Sequence, residues 1–541
     1  MAYSVPPKFS HDYTRAVNRN HLGQPKPVAQ DRKFQYGTAG FRYHADQLTF
    51  IVFRAAYLAG LRARNLNKTI GLMITASHNP EQDNGVKIVD PMGEMLDAEW
   101  EDHATELINT TDFEFPTAVR ALETGIKCHV PAACARVAVA RDTRASGEHL
   151  VEAARAGVVL IDGVNFEDHG ILTTPQLHYI VRVGNDPDFG EPRELGYYKT
   201  IAGAFEELCK VVPMPDGFST TLHLDCANGV GARQMATMER FLPTDAIDIH
   251  YHNVDGELNH NCGADFVKIS KKLPTDFESV AVGERCAVFD GDADRLVYFY
   301  KKNEDTIELL DGDKIALLIA KYYSDELAAL DLPDKLKMAI VQTAYANGNS
   351  GRWMENNLGI SPVFVPTGVK HLHHEAIKHD IGVYFEANGH GTVVFSDRFK
   401  NAIKDLDHPS AIRLCLMSRV INEVVGDAIA DMLAVEMILR HYGWSVSDWA
   451  NLYSDAPSKQ IKVPVVDRSL YKTTHDETKL IEPSSLQEKI DEVVDKYEDA
   501  RAFVRPSGTE NIVRVYAEAL TQEDADKIGA EIEEAVKIMT A

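Results

Sequence analysis

Cys286-Ala-Val-Phe289, running directly into Asp290-Gly-Asp-Ala-Asp-Arg295, is the stretch from which the organisation of this chain can be read. Four apolar residues read as a short buried strand, and the polar groups come straight after its end. Open α/β sheets place their ligands there, outside the carboxyl ends of the strands. The carboxylates stand at every second position. In an extended segment alternate side chains point the same way, so Asp290, Asp292 and Asp294 converge on one side. Three like charges so close together repel, and a hard cation relieves them. A set of oxygen ligands alone suits magnesium or calcium rather than zinc or copper. Magnesium keeps positions open for water or a phosphoryl oxygen, so the cluster points to phosphate chemistry. The alternative is an acidic surface turn.

Two other readings of the cluster fail. An EF-hand loop starts the same way but needs Gly at its sixth position and Glu at its twelfth, where this chain has Arg295 and Lys301. A haloacid-dehalogenase-type start needs Thr or Val two residues after the second Asp, near the beginning of the domain. Here that position is Asp294, far inside the chain. A second acidic turn, Leu310-Asp-Gly-Asp313, has two carboxylates and leads into Lys314 and a helical apolar run. It reads as a helix cap.

With 541 residues, the chain is too long for one core and is expected to form three or four domains. Its 45% hydrophobic and 25% charged content are those of a globular protein. A net charge of −25 speaks against general nucleic-acid or anionic-membrane binding. An anionic substrate would therefore need locally gathered Arg, Lys and backbone N–H groups. The start, Met-Ala-Tyr-Ser-Val-Pro-Pro-Lys, has no apolar signal core, and no run reaches transmembrane length. Cys128, Cys134, Cys209, Cys226, Cys262, Cys286 and Cys415 are scattered and odd in number, which reads as reduced thiols in a cytoplasmic protein.

Apolar strand-like runs alternate with longer helical stretches, as in α/β layers. A helix is expected over Leu48–Asn65, then the strand Ile70–Ile74. Further strands are expected at Val137–Ala140, Thr221–Leu224, Ala287–Phe289, Met338–Gln342, Val363–Val365 and Val383–Phe385. Helical patterning continues from Ala411 to Leu439, and the polar stretch Ser454–Lys459 reads as a linker. The last eighty or so residues read as a separate α+β unit. Ser485-Leu-Gln-Glu488 has capping-box spacing at a helix start. Strands at Ala502–Val504 and Ile512–Ala517 flank a loop, and a last helix spans Gln522–Met539.

After the strand ending at Ile74 comes Thr75-Ala-Ser77-His78-Asn79-Pro80. A serine leaving a strand end beside His78 is placed for nucleophilic phosphoryl transfer, given a base or an electrophile nearby. The alternative is an Asn-Pro turn in which Ser satisfies backbone groups. The six residues resemble the phosphoserine loop of the α-D-phosphohexomutase superfamily. Asp290–Arg295 resembles its magnesium loop, and Arg505-Pro-Ser-Gly-Thr-Glu-Asn511 its phosphate-binding loop. Gly37-Thr-Ala-Gly-Phe-Arg42 is similar to its N-terminal motif, and Arg141-Asp-Thr-Arg-Ala-Ser-Gly147 to its first-domain strand-to-helix turn. The matches span nearly the whole chain.

Most superfamily members carry the Arg-Asp-Thr-Arg turn before the phosphoserine loop. Here Ser77 precedes it, an order that resembles the phosphoacetylglucosamine-mutase branch. The sugar loop agrees: Glu386-Ala-Asn388-Gly-His390-Gly-Thr392 stands where hexose-phosphate mutases usually have Glu-x-Ser-Gly-His. Glu386 can accept hydrogen bonds from two ring hydroxyls, and Asn388 offers a donor and an acceptor. Around Arg505, the Ser507-Gly508-Thr509 turn offers N–H groups and hydroxyls, with Arg505 and Arg514 on either side, a setting for a phosphate dianion. Glu510 reads as orienting an arginine. Lys87 resembles a lysine that the family places near the reacting oxygen, and with Arg42 and His78 it is a candidate for proton transfer or charge stabilisation. Its alternative is a surface lysine in a turn. Thr367-Gly368-Val-Lys-His371 resembles the family's third-domain sugar loop, while His371, His373 and His374 read as ordinary loop and helix histidines.

The resemblance implies an α/β fold of four domains around a central cleft: three mixed α/β sandwiches and a smaller C-terminal α+β domain. The expected limits are 1–200 with the phosphoserine loop, 201–305 with the metal loop, 306–453 with the sugar loop and 454–541 with the phosphate loop. It implies a phosphohexomutase that isomerises N-acetylglucosamine phosphates through a phosphoserine and a 1,6-bisphosphate, with one magnesium ion on Ser77, Asp290, Asp292 and Asp294. The hexose 1,6-bisphosphate serves as activator and intermediate. The partner is a small sugar phosphate, with no nucleic acid and no membrane, and the oligomeric state stays open. A glucose- or mannose-phosphate mutase is the alternative. A catalytically dead binding paralogue is opposed by intact Ser77, the three aspartates and Arg505.

Overall fold

The structure, a computed structural model, describes residues 12–37, 40–126, 134–330, 332, 334–507 and 511–540. The chain divides into two compact units, 1–309 with 416–443 and 310–415 with 444–541.

The first unit holds two five-stranded mixed sheets. Strands β1 (Phe41–His44), β2 (Thr69–Ile74), β3 (Asp83–Val89), β4 (Arg136–Arg141) and β5 (Asn165–Ile171) lie in the order β1-β3-β2-β4-β5. Every residue of β2 is buried, which is why Thr-Ile-Gly-Leu-Met-Ile is apolar almost throughout instead of alternating. β4 runs parallel to β2, with Ile74 opposite Arg141. The loops after them, 75–79 and 142–146, are therefore neighbours. Helix Thr49–Leu66 is buried along most of its length and ends on Asn67 in the left-handed conformation. Helix Gly147–Val158 packs against it so closely that a Cβ on Gly157 would lie 2.4 Å from the Phe53 carbonyl oxygen.

Strands β6 (Thr221–Asp225), β7 (Asp248–His252), β8 (Cys286–Phe289), β9 (Leu296–Lys301) and β10 (Ile307–Leu310) form the second sheet, in the order β10-β9-β8-β6-β7. β6 is parallel to β7 and β8, while β8 and β9 are antiparallel. The long helical stretch expected from Ala411 to Leu439 is two helices, Pro409–Val420 and Ala428–Tyr442. Asp427 breaks it, because its carboxylate caps the second helix through the Ile429 and Ala430 N–H groups at 3.2 Å. Residues 416–443 pack into the first unit. Glu436 pairs with Arg285 at 2.8 Å and accepts from Tyr298 Oη, and Ala428 N donates to Ala293 O.

In the second unit, β11 (Met338–Thr343), β12 (Val363–Val365), β13 (Ile381–Phe385) and β14 (Gly391–Phe395) form a sheet in the order β12-β11-β13-β14, the first three strands parallel. The Leu310–Asp313 turn does cap the following helix, Gly312–Ala328: Asp311 accepts from Asp313 N. His371, His373 and His374 lie on helix Val369–Ala376, with His373 Nδ1 3.0 Å from the Tyr384 hydroxyl.

The C-terminal α+β part of this unit has an antiparallel sheet of β15 (Ser458–Pro464), β18 (Arg501–Pro506) and β19 (Ile512–Glu518), in the order β15-β19-β18. A small pair, β16 (Lys472–Thr473) and β17 (Leu480–Glu482), accompanies it. The expected linker is shorter than read, because Ser458 and Lys459 already belong to β15. The capping box at Ser485 does not form. Helix Ser484–Val494 begins on Pro483 with no side-chain cap, so Ser485 already lies inside its first turn. One sheet face (Val463, Val504, Val513, Val515, Ala517) packs with Leu486, Ile490, Ile528, Ile532 and Val536 of the two helices in a core of its own.

None of the six described cysteines is in a disulfide, and Cys128 lies outside the described residues. Among the described residues no helix is long and apolar enough to cross a membrane.

Replacing fully buried Ile528 with alanine leaves a cavity between helix and sheet. Ile528→Ala is expected to destabilise the C-terminal part by about 2–5 kcal/mol. Urea unfolding followed by proteolysis at that part measures it.

Candidate active site

The serine loop and the acidic loop meet inside the first unit. Ser77 Oγ donates to Asp290 Oδ2 at 2.7 Å and lies 3.3 Å from Asp294 Oδ1. Ser77, Asp290 and Asp292 are fully buried and Asp294 is 2% exposed. One oxygen from each of the three carboxylates lies within 4.8 Å of the others.

The carboxylates do converge, but not by strand alternation. β8 ends at Phe289, and 290–294 is a turn in which Ala293 takes φ 56°. Asp290 Oδ1 accepts from the Asp294 and Arg295 N–H groups at 3.1 and 3.2 Å, closing that turn. A turn curls the chain around the site and aims three close side chains at one point. An extended segment would have spread them along about 7 Å per pair of residues.

Ser77 itself sits at φ 50°, in the left-handed region. Its loop is held there from three sides. Thr75 Oγ1 accepts from Ser77 N at 2.9 Å. Arg144 Nη2 donates to the carbonyls of Ser77 and Asn79 at 3.2 and 2.7 Å, while its other nitrogen pairs with Asp142. Asn259 Nδ2 donates to the same two carbonyls at 2.9 and 3.0 Å. Gly291 has no room for a side chain, because a Cβ would lie 2.7 Å from Ser77 O. Asp292 Oδ2 accepts from Thr174 Oγ1 at 2.5 Å and lies 3.2 Å from Thr75 Oγ1.

Lys87, on β3, is no surface lysine. Its Nζ lies 3.3 Å from Asp294 Oδ2 and 3.6 Å from Asp292 Oδ2. Arg295 pairs with Asp265 at 2.7 Å, and Asp265 also faces His78 Nε2 at 3.5 Å. Burial, then Arg295 and Arg42, hold the His78 imidazole well below its usual pKa, so it is neutral at pH 7. Burial also lowers Arg42, with Arg295 acting in the same direction and the three aspartates against it. The Arg42 Nε is buried with no hydrogen-bond partner among the described residues. Asp290 is pushed well above the carboxylate range by burial first, then by Asp294 and Asp292.

A hard cation fits this donor set. All three ligands offer oxygen, and buried Asp292 Oδ1 has no hydrogen-bond partner among the described residues. A buried polar atom normally has one. The chemistry suits magnesium.

In the second unit, Tyr345, Thr367 and Glu386 leave the same edge of the sheet, because β11, β12 and β13 are parallel. Glu386 opens a tight turn: its N–H donates to His390 O, Gly389 N donates to Glu386 O, and His390 N donates to Asn388 Oδ1. Asn388 Nδ2 lies 3.3 Å from Glu386 Oε2. Arg505 and Arg514 are directly opposite each other on β18 and β19, and Lys462 of β15 is opposite Arg514. The three cations therefore share one sheet face. The Ser507 carbonyl accepts from Arg468 at 2.8 Å. Gly508, Thr509 and Glu510 lie outside the described residues.

Glu477 is the neighbour that sequence reading missed. Its carboxylate accepts from Arg505 Nη1 at 3.0 and 3.1 Å, and from Thr367 N and Oγ1 at 3.0 and 2.6 Å. Gly368 follows Thr367 and starts the helix at Val369. Asn259, which holds the serine loop, and Thr174, which donates to Asp292, were also missed. The signals were faint: Asn259 lies in an Asn-rich loop, and Thr173-Thr-Pro-Gln176 is a capping box.

Sheets, serine loop and acidic loop together have the architecture of the α-D-phosphohexomutases. Family models match along the chain: phosphoacetylglucosamine mutase AMG1 domain II over 191–297 and domain III over 311–444, with phosphoglucomutase/phosphomannomutase domain I over 56–115 and the C-terminal domain over 461–535. A phosphoacetylglucosamine mutase of Sus scrofa is 46% identical over 532 residues, covering 96% of each chain. A crystal structure of the Aspergillus fumigatus N-acetylphosphoglucosamine mutase with GlcNAc-6P and magnesium is 42% identical, with a TM-score of 0.89, covering 95% of this chain and 97% of that one. A second, a variant with glucose 1,6-bisphosphate, also has a TM-score of 0.89 and 42% identity, covering 99% of this chain and all of that one. The chain belongs to the phosphoacetylglucosamine mutase family of that superfamily, a family of isomerases.

Arg144→Ala removes a buried guanidinium and strands Asp142 and two loop carbonyls. The expected cost is about 3–5 kcal/mol, focused on the serine loop. Hydrogen exchange should show residues 75–79 deprotected. Asp292→Asn is expected to weaken magnesium binding by about tenfold or more, measured by calorimetry on the intact chain.

Proposed function

We propose that the chain interconverts N-acetylglucosamine 6-phosphate and N-acetylglucosamine 1-phosphate, with Ser77 giving up and taking back a phosphoryl group. The observation that carries this reading is the buried Ser77 Oγ, 2.7 Å from one carboxylate of a three-carboxylate cluster that Lys87 also faces. The complexes of the Aspergillus enzyme with GlcNAc-6P and magnesium, and with glucose 1,6-bisphosphate, support the choice of substrate and intermediate.

Phosphorylated Ser77 transfers its group to the free hydroxyl of the bound sugar phosphate. The hydroxyl loses its proton, the serine Oγ–P bond breaks, and a 1,6-bisphosphate forms. The bisphosphate turns over and presents its other phosphate, which returns to Ser77. Asp290, Asp292, Asp294 and the Ser77 phosphate would hold one magnesium ion, which would neutralise phosphoryl charge. Lys87 and Arg42 stabilise charge on the reacting oxygens, and neutral His78 can take up a proton. Thr367, Gly368, Glu386, Asn388 and His390 orient the sugar. Arg505, Ser507, Gly508, Thr509 and Arg514 bind the phosphate that is not reacting. The product feeds UDP-N-acetylglucosamine synthesis, and the cytoplasm is the compartment we assign.

A coupled mutase assay on a panel of hexose 6-phosphates tests the reading. The acetamido sugar should turn over best, and a preference for glucose or mannose phosphate would overturn the substrate. Ser77→Ala should stay folded and lose essentially all turnover, and mass spectrometry should find a phosphoryl group on Ser77 in the wild type.

Arg505→Ala removes charge-assisted bonds worth about 1.5–3 kcal/mol. At about 1.4 kcal/mol per factor of ten, kcat/KM should fall by roughly one to two orders of magnitude. More bisphosphate should escape during turnover. Ser77 phosphorylation should be unchanged.

A further inference from the structure

His223 on β6 and His250 and His252 on β7 project from one face of the second sheet, since parallel register sets His223 opposite His250 and Asp225 opposite His252. The His223 ring lies 5.1 Å from that of His250 and 5.2 Å from that of His252. None of the three takes part in the phosphate chemistry above.

A chain of contacts runs through two of these rings. His223 Nε2 lies 2.9 Å from Glu284 Oε2, His223 Nδ1 lies 3.0 Å from His252 Nε2, and His252 Nδ1 lies 2.8 Å from the Asp276 carbonyl oxygen. Both ends of this chain, an ionised carboxylate and a backbone carbonyl, can only accept. Each must therefore receive an N–H from its ring. A neutral imidazole has only one N–H, so two neutral rings use both protons at the ends. Their remaining nitrogens then face each other at 3.0 Å as two bare lone pairs. Three gaps need three positive centres, and neutral rings supply two. The central gap must hold a cation, either a third proton or a metal ion.

We propose that the gap between His223 Nδ1 and His252 Nε2 is a binding site for a nitrogen-seeking divalent cation such as zinc, separate from the aspartate cluster. The outer contacts are those that metal-binding histidines make: the second ring nitrogen donates to a carboxylate or a backbone carbonyl, which fixes the tautomer and raises ligand basicity. Two zinc–nitrogen bonds of about 2.0–2.1 Å at a tetrahedral angle place their nitrogens about 3.3 Å apart. The gap therefore needs to open by about 0.3 Å, and each ring must turn by about 35° so that its lone pair aims at the ion instead of at the other ring. The rings can give this, because their side chains keep 11% and 12% exposure. Two protein ligands leave the remaining positions of a tetrahedral ion to water. An imidazole pair favours zinc, copper or nickel over magnesium, so the two cation sites would not compete.

Burial lowers the pKa of His223, and although Glu284 opposes that effect the net direction is down. The other charged groups facing the pair are few. Asp276 Oδ2 is 3.5 Å from His252 Nδ1, and Asp248 pairs with His250 at 3.3 Å. Glu284 also accepts from Ala281 N at 3.1 Å, while Phe277 covers the other face of His252 at 4.2 Å. Protons should displace the metal below about pH 6, near the ordinary imidazole pKa.

The test uses the full chain, stripped with chelator and kept in saturating magnesium so that the aspartate cluster is filled. Zinc is then titrated at pH 7.5 by calorimetry and thermal unfolding. The wild type should hold one more zinc than His223→Gln/His252→Gln and should melt higher with zinc, whereas the variant should show no such shift. Glu284→Gln, which leaves both ligands in place, should bind the same zinc about 10–100-fold more weakly. This variant serves if the double variant does not fold. Equal zinc binding in wild type and double variant would overturn the proposal. So would no zinc binding together with a single proton shared between the rings, seen by nitrogen NMR of labelled histidines, because the gap would then be a proton site only.

Discussion

Everything in the first unit answers to one electrostatic problem, three carboxylates and a serine hydroxyl crowded into a buried site. In a low dielectric, charges a few ångströms apart repel far more than they do in water. Burial first, and then repulsion from Asp294 and Asp292, pushes the Asp290 carboxyl well above the carboxylate range. Protein groups answer part of the charge: Lys87 lies near two of the carboxylates, Arg295 stands at 3.9–4.0 Å from two, and two threonine hydroxyls serve Asp292. The unpartnered oxygen of Asp292 marks what is left over. A divalent ion would offset that charge, and together with Lys87 and Arg295 it would let a dianionic phosphate on Ser77 lie beside the carboxylates. The same site thus favours holding a phosphoryl group near metal and cations, as phosphoryl transfer requires.

Holding such a site takes rigid surroundings. Ser77 and Ala293 both adopt the left-handed conformation without being glycine, at a cost of about 1–3 kcal/mol each. They stay there because Arg144 and Asn259 grip the carbonyls of one loop, while N–H groups close the other on Asp290. The helix beginning at Ala428 reaches the acidic turn through Ala293 O. Chain from three sequence regions is therefore committed to fixing one hydroxyl.

The second unit solves the opposite problem. Arg505, Arg514 and Lys462 gather positive charge on one sheet face in a protein whose net charge is −25. Glu477 takes hold of Arg505 and of the Thr367 loop together. This carboxylate fixes the guanidinium's direction, and any anion that comes to Arg505 must share it with a resident carboxylate.

The sequence by itself determined the elements and the chemistry. Apolar runs placed nine of the nineteen strands of the described residues to within a residue or two, because buried central strands must be apolar on both faces, and the others were missed. Clustered carboxylates, a serine at a strand exit and paired arginines announced phosphate chemistry, because few other groups do that work. Where local pattern competes with packing, it misled. The helical stretch over 411–439 breaks at Asp427, whose cap and buried contacts with Tyr197 and Asn422 outweigh the pattern. The capping box at Ser485 yields to a helix that starts on Pro483. Only the tertiary structure decided that Asp290–Asp294 converge through a turn, and that Arg144, Asn259 and Thr174 brace the site. It alone brought Glu477 to Arg505 and Glu284 to His223. These contacts join residues 28 to 182 positions apart. No local pattern records them, because parallel strands align distant loops at one sheet edge, and that alignment exists only once the sheets have formed.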